Sequence, residues 1–156
     1  IFLNWSATGS YDVVLMDAFS SLFSVPYQLT TVEAVSQISR VLTDNGIVIF
    51  NLGSAIRGPG SQFLQAEFKT YQTVFKRVHL FKVNTGYTDD QLQNLIIVAC
   101  KTECAADVLT SDEYIANLLT HRYTAELPLT LPVLTDDLAP VEYYNSKALN
   151  LYQTSR

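Results

Sequence analysis

Asp17 closes the apolar run 11–17 (YDVVLMD), and Asn51 stands near the end of a second apolar run, 46–52 (GIVIFNL). If both runs are strands of an open α/β sheet, ligands bind beyond their carboxyl ends, and both side chains reach one crevice when the strands are neighbours. A carboxylate in such a crevice can orient a substrate and exchange protons with it. The plainer readings stay open: a loop-capping carboxylate for Asp17, a turn residue for Asn51. After Asp17 comes a long loop, 18–29, carrying Phe19, Phe23, Pro26 and Tyr27. Loops of that length are uncommon unless functional, and this one reads as the lining of a pocket.

Other chemistry finds little support. Ser10, Ser20 and Ser24 lie in no nucleophile-elbow sequence, which argues against a hydrolase triad. His79 falls in a strand and His121 near a helix end, far apart in sequence, so structural or solvent roles are expected. Lys69, Lys76, Arg77 and Lys82 read as a solvated helix face rather than a nucleic-acid site. Cys100 and Cys104, spaced C-x3-C without a partner pair of Cys or His, do not make a zinc motif; they are expected as reduced thiols in an intracellular setting. No metal is expected.

The elements that must position Asp17 and Asn51 follow from periodicity. The run 11–17 is apolar at nearly every position and predicts a strand buried on both faces of a parallel sheet. Residues 30–42 repeat apolar side chains at Val32, Val35, Ile38, Val41 and Leu42, a helical stripe. Thr30 and Glu33 have capping-box spacing, and Asp44-Asn45-Gly46 supplies a left-handed stop. The run 46–52 is the next strand, followed by a glycine- and proline-containing loop to Gly60. A second helix over 61–77 places Leu64, Phe68, Tyr71 and Phe75 on one face. Strands 78–83 and 94–101 are joined by a polar connection too short for a crossover, which favours an antiparallel pair. A third helix over 110–121 has Thr110 and Glu113 at capping-box spacing; 127–140 is irregular, and 141–153 closes the chain as a short helix. The order β-α-β-α-β-β-α is α/β: a mainly parallel sheet with a carboxyl-terminal antiparallel strand and flanking helices.

Composition sets bounds. The 156 residues fit one domain, 1–156, and 48% hydrophobic against 16% charged residues excludes disorder for the bulk of the chain. A net charge of −5 argues against nucleic acid or an anionic membrane as a general partner. No apolar run is long enough to span a bilayer. The chain opens Ile1-Phe2-Leu3 without a methionine and is expected to be a piece of something longer.

The ordered set YDVVLMDAF, VPYQLTT, DNGIVIFNL and LTDDLAPVEYYNS resembles the spermidine synthase family, from about Tyr11 to Ser146. The resemblance implies a Rossmann-like methyltransferase fold and transfer of an aminopropyl group from decarboxylated S-adenosylmethionine, the co-substrate, to a polyamine such as putrescine. It places Asp17 where the nucleoside and amine sites meet, as the catalytic carboxylate that orients the amine and helps take its proton. Asn51 falls where the family often has an amine-binding glutamine, and Tyr87 where a tyrosine contributes to the amine pocket. Ala18, Pro26 and Leu29 join Asp17 on the cosubstrate side, Pro26 and Leu29 matching the apolar loop near the adenine. Tyr143 and Tyr144 match a structural or pocket-lining pair. A cytoplasmic protein is implied, with room for a membrane-tethered parent.

Two departures accompany the resemblance. Ser20 stands where the family has a second loop aspartate for the amine, and a hydroxyl does not pair with an ammonium as a carboxylate does. Asp89 and Asp90 are candidate replacements, with an exposed loop pair as the plainer reading. The glycine-rich turn and ribose-binding acid of the cofactor half are also missing from these residues, so the chain matches the carboxyl-terminal portion of the domain and is expected to be inactive alone. The alternatives are a methyltransferase-like protein with another acceptor, and a non-catalytic interaction domain. The unpaired edge of the strand from Tyr11 to Asp17 is expected to pair with a second copy, making a homodimer.

Overall fold

The computed structural model describes residues 2–17, 25–102, 104 and 110–154. The elements run α1 (Phe2–Trp5), β1 (Tyr11–Met16), α2 (Val32–Val41), β2 (Leu42–Ser54), α3 (Gln62–Val74), β3 (Arg77–Lys82), β4 (Gln93–Cys100), α4 (Glu113–Leu119), β5 (Arg122–Tyr123) and α5 (Val141–Thr154). They build a five-stranded sheet in the order β1-β2-β4-β3-β5 with flanking helices. β1 pairs parallel with β2, while β4 runs antiparallel to both β2 and β3, so β1, β2 and β3 share one direction. The mixed α/β architecture and the antiparallel strand late in the chain agree with the sequence reading; β4 lies inside the sheet, between β2 and β3, and not at its rim.

Alternation along the strands separates two faces, because successive side chains point to opposite sides. On one face Val48, Phe50, Leu52, Leu95, Ile97 and Ala99 are fully buried. Helices α2 and α3 pack there against β2 and each other, and Tyr71 of α3 stacks between Phe50 and Phe75 at centroid distances of 5.9 and 5.8 Å. The stripe Leu64, Phe68, Tyr71 and Phe75 is buried as its spacing predicts. The other face carries Val13 and Leu15, 47% and 70% exposed, and the half-buried Ile47, Ile49, Phe81, Ile96 and Val98. The expectation that β1 is buried on both faces is therefore corrected: it is an edge strand, and in it only Met16 is buried.

Three local signals are overridden by tertiary structure. Thr31, not Thr30, caps α2, accepting from the Ala34 N–H at 3.3 Å and donating to Asp136 at 2.6 Å. Glu33 accepts from the Asp136 N–H at 3.1 Å instead of closing a capping box. Asp112, not Thr110, caps α4 by accepting from the Ile115 N–H at 3.0 Å. No left-handed stop forms at residues 44–46, because α2 runs straight into β2 at Leu42. Gly46 is required for closeness instead: a Cβ there would stand 2.8 Å from the Leu42 Cβ.

The basic residues do not form one solvated face: Lys69 donates to the Leu131 carbonyl at 2.9 Å, and Lys82 to that of Tyr87. The expectation of reduced thiols is also overturned. The chain turns after β4, brings Cys104 to a Cα separation of 5.4 Å from Cys100, and the two form a buried disulfide. No helix among the described residues is long and apolar enough to cross a membrane.

Candidate functional site

Parallel pairing of β1 with β2 sets the site. Met16 stands opposite Phe50 in the last registered pair, so the next residues, Asp17 and Asn51, meet at the carboxyl end of β1, with Asn51 still inside β2 and three residues before its end. There the Asn51 Nδ2 donates to the Asp17 Oδ1 at 3.0 Å. Asp17 is exposed, while the Asn51 Oδ1 is buried and accepts no hydrogen bond among the described residues. A buried amide oxygen without a donor is costly, and a substrate N–H is the kind of group that would satisfy it. Asp17 and Asn51 belong to the open face of the sheet, in line with Leu15 and Ile49, which stand opposite each other one step earlier in the alternation.

The other expected site residues are distributed around this pair. Pro26 and Leu29 are half-buried at the entry to α2, and Leu29 packs on the core. Ala18 and Ser20 lie outside the described residues, as do Phe19 and Phe23. Tyr87 is 45% exposed on the β3–β4 loop, which follows the carboxyl end of β3, a strand running in the same direction as β1 and β2. Tyr144 is buried and Tyr143 exposed on α5, their rings 6.0 Å apart. No three His, Cys, Asp or Glu side chains converge as a metal set among the described residues.

Asp89 and Asp90 part company. Asp89 ties the loop to three elements: its carboxylate meets Arg57 at 3.7 Å and Lys82 at 3.4 Å and accepts from the Tyr123 hydroxyl at 2.8 Å. Its carbonyl accepts from the N–H groups of Ile56 and Arg57, both at 2.8 Å. Burial, and then the bond to Asp89, push the Tyr123 hydroxyl above its ordinary value. Asp90 is exposed and bonds only locally, accepting from the Thr88 hydroxyl at 2.5 Å. Sequence spacing offered no signal for the Arg57–Asp89–Tyr123 cluster, whose partners lie on separate elements.

Glu67 on α3 was likewise not singled out. It is fully buried, neither carboxylate oxygen has a hydrogen-bond partner among the described residues, and burial pushes its carboxyl well above the usual range. Tyr71, one turn on, is raised by burial first and by Glu67 second. Its place beside an aromatic stack makes Glu67 a feature of the packed interior, not of the crevice at Asp17.

Neither a known protein family nor a curated protein matches the sequence. Solved structures do match the fold. A probable spermidine synthase from Corynebacterium glutamicum ATCC 13032 superposes with a TM-score of 0.58 at 23% identity, over 76% of this chain and 40% of that one. Spermidine synthase from Thermotoga maritima gives a TM-score of 0.50 at 12% identity, over 92% of this chain and 45% of that one. The fold is thus spermidine synthase-like, a Rossmann-like methyltransferase arrangement, and the chain spans less than half the length of these two structures.

Proposed function

We propose that this chain is the carboxyl-terminal portion of a spermidine synthase-like aminopropyltransferase, using decarboxylated S-adenosylmethionine as co-substrate and a polyamine such as putrescine as acceptor. The observation that carries the reading is the Asn51–Asp17 pair, hydrogen-bonded at 3.0 Å where β1 ends beside the parallel strand β2. In the reaction a neutral amine nitrogen attacks the carbon beside a sulfonium; a C–N bond forms, the C–S bond breaks, and the nitrogen sheds a proton. Asp17 orients the amine and accepts that proton, while Asn51 holds the acceptor through its unspent amide oxygen. Positioning supplies most of the acceleration in such an in-line displacement.

The resemblance assigns Pro26, Leu29 and Ala18 to the nucleoside side, and Tyr87 and Ser20 to the amine side. The loop 18–29 after Asp17 carries no second acid, and the chain alone is proposed to be inactive. The open face with Leu15 and Ile49 is the surface on which the rest of the domain would lie.

A second reading, an interaction domain, is favoured by the same exposed face and by the edge of β1, unpaired among the described residues, through which two copies would pair about a two-fold axis. Location follows the first reading and is cytoplasmic. The Cys100–Cys104 disulfide pulls the other way, since such bonds are rare where thiols are kept reduced. Counting thiols in protein from its native source decides the point.

The test is product analysis on the protein encoded by the whole reading frame. Decarboxylated S-adenosylmethionine with putrescine should yield spermidine and methylthioadenosine. Homocysteine nucleoside from ordinary S-adenosylmethionine would instead establish a methyltransferase, and no turnover of either would favour the interaction domain.

A further inference from the structure

At the end of the sheet far from β1, β5 registers only with Leu80 and Phe81 of β3, and the chain then leaves the sheet. A groove lies between β3, α3 and the segment 124–129. One part, about 600 Å³, has Phe68, Val78, Leu80, Leu127 and Leu129 in its walls, and Glu126 is the only acid lining it among the described residues. The other part, about 430 Å³, is bordered by Lys76, Arg77 and Arg122 and, among the described residues, by no acid. Gln72, Val78, His79 and Arg122 line both, so the two parts are continuous. In a chain of net charge −5, three cations at one end of a groove are a local reversal of sign. The carboxyl end of α3, which closes at Val74, carries about half a negative charge, less than these three offset.

We propose that this groove binds an amphiphilic anion, its carboxylate or phosphate head held by Lys76, Arg77 and Arg122 and its apolar body lying between Phe68, Leu80 and Leu127. Guanidinium forks match the paired oxygens of either head, and the lysine adds a point charge. Gln72, exposed where the two parts join, offers the head an amide donor. Phe68 and Leu80 belong to the buried core, and Leu127 and Leu129 pack against it, so a hydrocarbon body extends an apolar surface already in place. The far bank is fixed before a ligand arrives. Arg57 donates to the Glu126 carbonyl at 2.6 Å and to the Tyr123 hydroxyl at 3.1 Å, the Thr130 hydroxyl donates to Gln65 at 3.1 Å, and Lys69 holds the Leu131 carbonyl. A preorganised bank loses little freedom on binding. The groove shares no residue with the Asp17–Asn51 pair or with the amine side, so it stands apart from the aminopropyl-transfer reading.

Titrating the 156-residue chain with sodium hexanoate tests it by amide NMR, with hexanol as the uncharged control and acetate as the head without a body. Saturable shifts are expected at residues 76–80 and 122–127, with hexanol and acetate each weaker by about tenfold or more. Affinity should rise by about twofold or more with each methylene added from butanoate to octanoate. Hexyl phosphate, titrated alongside, identifies the head: it is that of whichever ligand binds tighter. Lys76→Gln and Arg122→Gln should each weaken binding of that ligand by about fivefold or more, the exposed Lys76→Gln without moving the thermal midpoint, and Asp17→Asn should leave it unchanged. No saturable shift with hexanoate or hexyl phosphate, equal binding of hexanol or of acetate, or unchanged binding in both groove variants overturns the proposal. Shifts confined to the open face at Leu15 and Ile49 also overturn it. Failure of the aminopropyl-transfer reading would appear in the product assay and leave this titration untouched.

Discussion

The two faces of the sheet are built from equally apolar residues and meet different fates. Under α2 and α3, Val48, Phe50 and Leu52 are completely buried; on the opposite side of the same strands Ile47 and Ile49 are half-buried, and Leu15 of β1 is 70% exposed. β-Branched and leucine side chains on an α/β sheet normally face helices on both sides. Among the described residues one face is thus a finished core, while the other has the composition of a core without its cover. The Asp17–Asn51 pair stands on this second side, in line with Leu15 and Ile49.

The sharpest way to break the comparison is to truncate one residue on each face. Phe50→Ala removes a fully buried ring stacked on Tyr71 and should cost about 3–5 kcal/mol in urea unfolding. Leu15→Ala, on the open face, should cost under about 0.5 kcal/mol. Equal losses would mean that the open face is covered in solution.

The covered side also holds Glu67, and its sign follows from linkage. Burial raises its carboxyl in the folded state, so folding favours the protonated form. The associated stability is fully present below the unfolded carboxyl value, about 4.3, and is lost as pH rises above it. Glu67→Leu should flatten that decline and stabilise the chain at neutral pH by about 1–3 kcal/mol, read from unfolding at several pH values. An unchanged slope would place the titration elsewhere.

How far the sequence foretold this division depends on the range of each cause. Strand and helix positions were legible because YDVVLMD, GIVIFNL and the Leu64–Phe68–Tyr71–Phe75 stripe carry their periods locally. The pairing of β1 with β2 made the Asp17–Asn51 meeting legible too. The caps at Thr31 and Asp112 were misread at one or two residues' distance; Thr31 is chosen by a bond to Asp136, 105 residues away. The open face was invisible because an apolar strand reads the same whether or not its cover is present. The Arg57–Asp89–Tyr123 cluster joins residues 34 and 66 apart, beyond any local pattern.

That cluster supplies a smaller test. Asp89→Ala leaves Arg57, Lys82 and Tyr123 without a shared acceptor. Because the carboxylate is partly exposed, the loss should be about 1–2 kcal/mol after allowing for solvent screening, measured by thermal unfolding. A loss as large as that of Phe50→Ala would show that the loop is a second core. If copies pair through β1, Leu15→Lys should weaken that pairing by about tenfold in light scattering while leaving stability unchanged. Monomers at every concentration in the parent chain would remove the pairing of copies through β1.

The central claim is that Asp17 and Asn51 are half of an aminopropyl-transfer site. Its most direct test is the rate of methylthioadenosine formation by the protein of the whole reading frame, with and without Asp17→Asn. The account predicts putrescine-dependent turnover that falls by about a hundredfold or more in the variant, with its folding intact. Turnover unaffected by Asp17→Asn, or none in the unaltered protein, would contradict it.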